Sequence, residues 1–338
     1  MDEQDNETCC QSMFSSYSRR QGIVALIAVM AILGVFGNCL VIAAVTLSRK
    51  LRNPTNMFVF NLSIADLLVC GFVLPGQATA LLAVDNSMPD IMCSLTAVLQ
   101  ILSTGCSINN LACIAINRYL IVSCRKATYL KLFNRRRTSL AIILTWLIPA
   151  CAMVVQQVVG NVKLDRESMF SYCSWVDAKT SDAKIKPVVV GAFLPVQFVL
   201  ICFCYGRLFY RIRTHTRRVQ HLGGAIRVAT VMEAQHRWAG HRPAGHRPNQ
   251  NQHQIKVTMN LFCVVCSFVV CFTPYIFLFV FKRSLAFTLV AGVLALGNSC
   301  INPMLYAAKH PEFKKVFHCI IRGKFAQIPG RVTFKCFN

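Results

Sequence analysis

At 338 residues, the chain is 55% hydrophobic and only 14% charged, and it carries a net charge of +23. Soluble domains hold about 25% charged residues, so this composition excludes an ordinary soluble fold. The basic balance alone would suit nucleic acid. Here the cations sit on loops beside apolar segments, where anionic lipid or an acidic partner meets them and no nucleic acid is implied.

The apolar residues gather in seven windows: Ile23–Leu47, Met57–Val84, Ile91–Ser123, Thr138–Val159, Pro187–Tyr210, Val257–Phe281 and Leu285–Ala308. Each is long enough for a helix to cross the hydrocarbon of a bilayer, which takes roughly 20 residues. The predicted fold is an all-α membrane protein, a seven-transmembrane helix bundle, with the chain ends on opposite sides. One side holds 27 of the 36 lysines and arginines, the other 10 of the 13 acidic residues. Loops rich in lysine and arginine stay in the cytoplasm, which predicts a multi-pass plasma-membrane protein with an extracellular N-terminus. Three parts follow: an outer tail at 1–22, the bundle at 23–308 with a flexible inner loop at about 214–254, and an interface helix with a cytoplasmic tail at 309–338.

The outer tail is polar and acidic and carries the glycosylation sequon Asn6-Glu7-Thr8. Segment one holds Asn38. Segment two holds Asp66, a carboxylate among apolar neighbours that is costly unless hydrated or paired, so it marks a polar core. Pro75 farther along predicts a kink. Segment three opens at Cys93 and closes on Asn117-Arg118-Tyr119. An intramembrane arginine either faces the protein interior or snorkels into headgroups. Of the 18 cysteines most lie inside apolar segments, where a free thiol acts as a small hydrophobe. Cys93 and Cys173 lie on the outer face and are the expected disulfide, so the loop from Gly160 to Lys186 reads as a lid stapled to segment three.

Segment five runs into FCYGRLFYRIRTHTRR and is expected to continue beyond the membrane as a basic helix. The inner loop after it repeats AGHRP at 239–243 and 244–248, a composition without a core of its own. Its His241, His246 and His253 lack the cysteines and the framework that a metal site needs. Segments six and seven contain Cys271-Phe-Thr-Pro274 and Asn302-Pro303-Met-Leu-Tyr306. A proline frees a backbone carbonyl, and a nearby asparagine can hold water or a neighbouring helix. Prolines in segments five, six and seven therefore predict a bundle that changes shape. Finally, Pro311–Ile321 sets Phe313, Val316, Phe317, Ile320 and Ile321 opposite Lys314, Lys315 and His318, the pattern of a helix lying in the interface plane. Cys319 on it is a candidate for palmitoylation.

Seven segments, Cys93 with Cys173, Asp66, Asn117-Arg118-Tyr119, Trp146, Cys271–Pro274 and Asn302-Pro303-x-x-Tyr306 occur in this order, with 25 residues from Cys93 to Arg118. Together they resemble the rhodopsin-like (class A) G-protein-coupled receptors over about residues 22–321. The resemblance implies a receptor and not an enzyme. Its implied partners are an extracellular small-molecule or peptide ligand, membrane lipid and a heterotrimeric G protein. It further implies that Asp66, with Asn38, Ser107, Asn298 and Asn302, forms a sodium site and activation network, with no other cofactor. Arg118 would latch the inactive state and then engage the C-terminal helix of the G protein, with Tyr205 and Tyr306 swinging towards it. Phe272, where tryptophan is usual, would act with Phe268, Ile108 and Pro274 in transmitting the change. Asn117 stands where an acidic residue usually precedes the arginine, and Gln254 where a helix-six acid often lies. Both departures imply a weaker lock and higher basal activity.

Gln100 stands seven residues after Cys93, where amine receptors carry aspartate, and Leu296 stands where opsins carry the retinal lysine. The resemblance so implies neither an aminergic ligand nor an opsin. The stretches IAINRY and NSCIN are similar to melatonin receptors, although segment five has no histidine for an indole ligand. Gln77, Gln100, Thr104, Gln156 and Gln157, with Phe272, offer neutral hydrogen bonds from the outer half, suited to a small neutral or amphipathic ligand or a peptide. The competing reading is a transporter of a small neutral solute, which predicts repeated, broken helices with ionisable groups at the midplane. Asp66 alone fits that pattern. For an enzyme, neither HExxH, GxSxG nor paired intramembrane aspartates occur.

Overall fold

Six long helices and the described part of another follow the seven apolar windows. The computed structural model describes residues 17–83, 88–159, 162–167, 172–177, 196–211, 213–214, 250–280 and 285–332. Helix α1 is Tyr17–Leu47, α2 Pro54–Leu82, α3 Asp90–Ser123 and α4 Arg135–Val159. The described part of α5 is 196–211; α6 is Gln250–Val280, α7 Leu285–Lys309 and the amphipathic α8 Pro311–Ile321. Five of these helices are long and apolar enough to cross a membrane. The first begins at Tyr17, inside the expected 1–22 tail, and α6 begins at Gln250, inside the expected 214–254 loop. Asn6, Cys9, Cys10, Pro195 and the tandem AGHRP lie outside the described residues.

The burial pattern is that of a protein dissolved in hydrocarbon. Large apolar side chains point outward, Ile32 at 69% and Val270 at 71% exposure, while Asn38, Asn61, Asp66, Asn110, Asn117 and Arg118 are buried. In lipid this costs nothing for the aliphatic groups and hides the polar ones among helices that can satisfy them. α3 runs through the middle and touches α2, α4 and the outer connection; α1 packs on α2, α7 and α8; α6 packs on α7. Gly37 permits the α1–α7 contact, since a Cβ there would lie 2.8 Å from Cβ of Pro303.

Three local outcomes differ from the sequence reading. In α2 the residues before Pro75 form a π-helical turn, Val69–Val73, just beyond Asp66, which the sequence reading did not include. The connection from α4 to α5 contains an antiparallel hairpin, β1 Val162–Glu167 with β2 Tyr172–Asp177, in which Arg166 faces Cys173. Helix α8 has the expected ends, but Phe313, Val316 and Phe317 are buried in the main core of the bundle instead of facing lipid. Its start is capped by His310, whose Nδ1 accepts the Phe313 N–H at 3.4 Å.

Candidate functional site

At the hairpin end, Cys93 of α3 is disulfide-bonded to Cys173 of β2, both buried beside Ala80 and Ala97. Gln77 of α2 clasps the same strand. Its Nε2 donates to the Cys173 carbonyl at 2.9 Å and to Gln100 Oε1 at 2.7 Å, and its Oε1 accepts the Cys173 N–H at 3.1 Å. The side chain therefore holds the lid in place, which the sequence did not indicate. Gln100 and Thr104 are half-buried one turn apart. Gln156 is buried with neither amide atom bonded to protein, whereas Gln157 is exposed. Below them, Ile108, Phe198, Ile201, Phe268, Val269, Phe272 and Thr273 line a narrow apolar cleft between α3, α5 and α6. The rings of Phe268 and Phe272 stack on each other along its α6 wall with centroids 4.3 Å apart.

Midway, Asp66 is fully buried. Its Oδ2 accepts from Asn302 Nδ2 at 2.8 Å and its Oδ1 from Ser107 Oγ at 3.4 Å, which joins α2, α3 and α7. Asn38 reaches across from α1: its Nδ2 donates to Gly34 O at 2.9 Å and Ser299 O at 3.0 Å. Ser299 lies four residues before Pro303, so its carbonyl has no helical N–H to accept, and Asn38 supplies the missing donor. The same device recurs between α3 and α4. Pro149 frees the carbonyl of Thr145, and Asn109 Nδ2 donates to it at 3.2 Å. Asn61 binds Asn110 Oδ1 and Thr145 Oγ1, each at 3.0 Å, and accepts the Trp146 indole N–H at 3.0 Å. The amide oxygens of Asn38, Asn298 and Asn302 are buried without a protein donor. A carboxylate, a hydroxyl and unpaired amide oxygens make an oxygen-rich set that fits a hard cation such as sodium. No group of three or more His, Cys, Asp or Glu that would hold a metal ion occurs among the described residues.

At the far end, Arg118 is 4% exposed and its Nε has no protein partner. The hydroxyls of Tyr205 and Tyr306 are likewise buried and unpaired, as are both amide atoms of Asn260 on α6. Asn117 turns away from Arg118: its Oδ1 accepts from Thr55 Oγ1 at 2.6 Å and its Nδ2 donates to the Tyr129 hydroxyl at 3.3 Å. Tyr129 lies on a short helix, Lys126–Leu132, of the connection to α4. Tyr119 is half-buried under the Arg211 guanidinium, 5.9 Å from its ring centre, while Arg211 also donates to the carbonyl of Ser123 at 3.2 Å. The sequence reading singled out Arg118, Tyr205 and Tyr306 but not Thr55, Tyr129 or Asn260. Their only advance signal was polarity inside apolar segments or on a basic loop. Gln254 lies within α6, its side chain outside those described, and Cys319 is half-buried against the core.

A family profile described as 7 transmembrane receptor (rhodopsin family) matches residues 37–306. Melatonin receptor type 1C of Gallus gallus is 29% identical over 316 residues, spanning 89% of this chain and 82% of the relative. Histamine H2 receptor of Homo sapiens is 28% identical over 319 residues, spanning 91% and 82%. Among solved structures, squid rhodopsin superposes with a TM-score of 0.74 at 18% identity, covering 92% of this chain and 87% of the other, a likeness of fold.

Proposed function

The chain belongs to the rhodopsin family of seven-transmembrane receptors, and from that premise we propose that it is a cell-surface receptor that binds an extracellular ligand and activates heterotrimeric G proteins. The observation that carries this reading is Arg118: a buried guanidinium whose Nε lacks a protein acceptor, at the end of the bundle where Tyr205, Tyr306 and Asn260 also hold unpaired polar atoms. A buried unpaired donor costs about 1–3 kcal/mol, so this end gains when α6 moves and admits water or a partner's backbone carbonyls. Orientation follows the basic loops, with the Arg118 end in the cytoplasm and the hairpin outside the plasma membrane.

The ligand enters beneath the hairpin and meets Gln100, Thr104 and Gln156. Gln77, which the sequence reading set in the pocket, acts by positioning the lid. The relatives widen the ligand class. A histamine receptor among them withdraws support from excluding amines, although Gln100 brings no carboxylate counter-ion, and a small molecule of either kind suits the half-buried amides. Leu296 at the lysine position argues against a retinal opsin. Asp66 with Ser107, Asn298 and Asn302 would hold sodium, whose positive charge would steady the closed bundle.

The test is nucleotide exchange on purified heterotrimeric G protein added to membranes that carry the chain. Exchange above the level of empty membranes is expected, and Arg118→Ala should bring it to that level at equal surface amount. Undiminished exchange with Arg118→Ala contradicts the assigned role. Solute flux in vesicles without any exchange would instead support a transporter.

A further inference from the structure

Near the Arg118 end, a thiol and an amine join α6 to α7. Lys309 Nζ donates to Cys263 Sγ at 3.0 Å. The helix faces explain the meeting. Phe262, one residue earlier, turns to α5, its ring 5.5 Å from that of Tyr205 and 4.7 Å from that of Phe209. Cys263, about 100° further round the helix, therefore turns to α7. Lys309 is the last residue of α7. A cation there ordinarily serves the free carbonyls of its own helix; this one reaches across to sulfur. Neither α6 nor α7 carries an acidic residue, so on these two helices the ammonium meets a thiol and no carboxylate.

The place suits covalent chemistry. Reactive cysteines lie beside a cation and in partly open surroundings; Cys263 is half-buried and Lys309 exposed. Approach is through an apolar surface. Met259, one turn before Cys263, and Cys266, three residues after it, are exposed on α6, as is Met304 on α7. In a bilayer these side chains meet acyl chains, so a reagent dissolved in lipid reaches the pair. The pair also borders the end expected to open. Asn260 lies three residues before Cys263 and Tyr306 three before Lys309, and both hold buried polar atoms without a partner. A covalent link between Cys263 and Lys309 crosses the seam between α6 and α7 at that end.

We propose that Cys263 and Lys309 form a two-point modification site for a small α,β-unsaturated aldehyde arriving through the lipid, and that the adduct staples α6 to α7. Cys263 Sγ forms a C–S bond at the β-carbon. The displaced π electrons take up a proton at the α-carbon, so the thiol hydrogen ends there. Lys309 Nζ, having lost a proton to water, then adds to the aldehyde carbon, and the carbonyl oxygen leaves as water, which gives an imine. Both steps balance without an oxidant or a reductant. The finished bridge has three carbons between sulfur and nitrogen, and it fits atoms that already lie in contact with its bonds staggered. The effect of the staple on G-protein activation rests on the receptor reading; the adduct itself does not.

Adduct mapping tests it. The full chain in phosphatidylcholine nanodiscs is treated with acrolein, the imine is fixed by borohydride, and the digested protein is read by mass spectrometry. A cross-linked peptide pair joining residues 263 and 309 is expected in the wild type and not in Cys263→Ser. Lys309→Arg keeps the charge but forms no imine, so it should leave Cys263 alkylated at one point. Lys309→Gln removes the charge-assisted bond to sulfur and should slow alkylation of Cys263 roughly tenfold. Absence of the cross-linked pair from the wild type overturns the proposal, as does alkylation of Cys263 at the wild-type rate in Lys309→Gln. For the closing role, acrolein is quenched before G protein is added. Treated wild type should then fall to the exchange level of empty membranes, while treated Cys263→Ser keeps its untreated rate. Undiminished exchange by a fully stapled chain overturns that role. Failure of the receptor reading shows separately, as an untreated chain that drives no exchange while the mapped adduct still forms.

Discussion

Asn117 bears directly on the switch proposed at Arg118. An acid at this position would lend a negative charge to the neighbouring guanidinium; the amide instead bonds Thr55 and Tyr129 and leaves Arg118 Nε without a partner. Asn117→Asp keeps the oxygen that Thr55 bonds and adds the charge, which should steady the closed state by about 1.4 kcal/mol and lower basal nucleotide exchange roughly tenfold. Unchanged basal exchange would mean that the closed state does not depend on this pair. Asp66 makes a second case. Replacing potassium by sodium at constant ionic strength should lower basal exchange by the wild type and leave Asp66→Asn unmoved. A sodium effect that persists in Asp66→Asn would remove the ion from this site. These residues were legible because a charge inside an apolar run has few bland explanations. Asn260 was not, since a neutral amide in a helix is cheap to tolerate and its isolation appears only once the neighbouring helices are in place.

Secondary structure was readable wherever length and hydropathy decide it. The ends of α3, α4 and α7 fall within three residues of the apolar windows, because the bilayer sets where a helix stops being greasy. Elements set by backbone hydrogen bonding were not readable. The fold-back of Ile328–Val332 depends on residues 47–49, distant in sequence, while the π-turn before Pro75 and the β1–β2 hairpin are local hydrogen-bonding choices that hydropathy does not distinguish. Gly330 hinted at a turn but not at what it meets. The hairpin also depends on more than its disulfide. Gln77 makes two bonds to the backbone of Cys173, so Gln77→Ala should raise hydrogen exchange at residues 172–177 about thirtyfold, at roughly 1 kcal/mol per bond lost, and leave α3 unchanged. Protection equal to the wild type would show that the disulfide alone anchors the lid.

Across the whole molecule, polar side chains bridge the helices at the points where prolines break them. Asn38 serves the carbonyl freed by Pro303, and Asn109 serves the one freed by Pro149. Such bonds are made by side chains and can be exchanged, so the bundle has alternatives that an unbroken helix lacks. The end that carries Arg118 holds several unpaired buried groups among the described residues, Arg118 Nε, the Tyr205 and Tyr306 hydroxyls and the Asn260 amide, and is the end expected to open. A direct measurement is the distance between spin labels on unnatural residues at 126, beyond α3, and 255, at the start of α6. Nucleotide-free G protein should lengthen it by about a helical turn, ~5 Å, with Arg118→Ala holding it at the unbound value. An unchanged distance in the wild-type complex would contradict the opening of this end of the bundle.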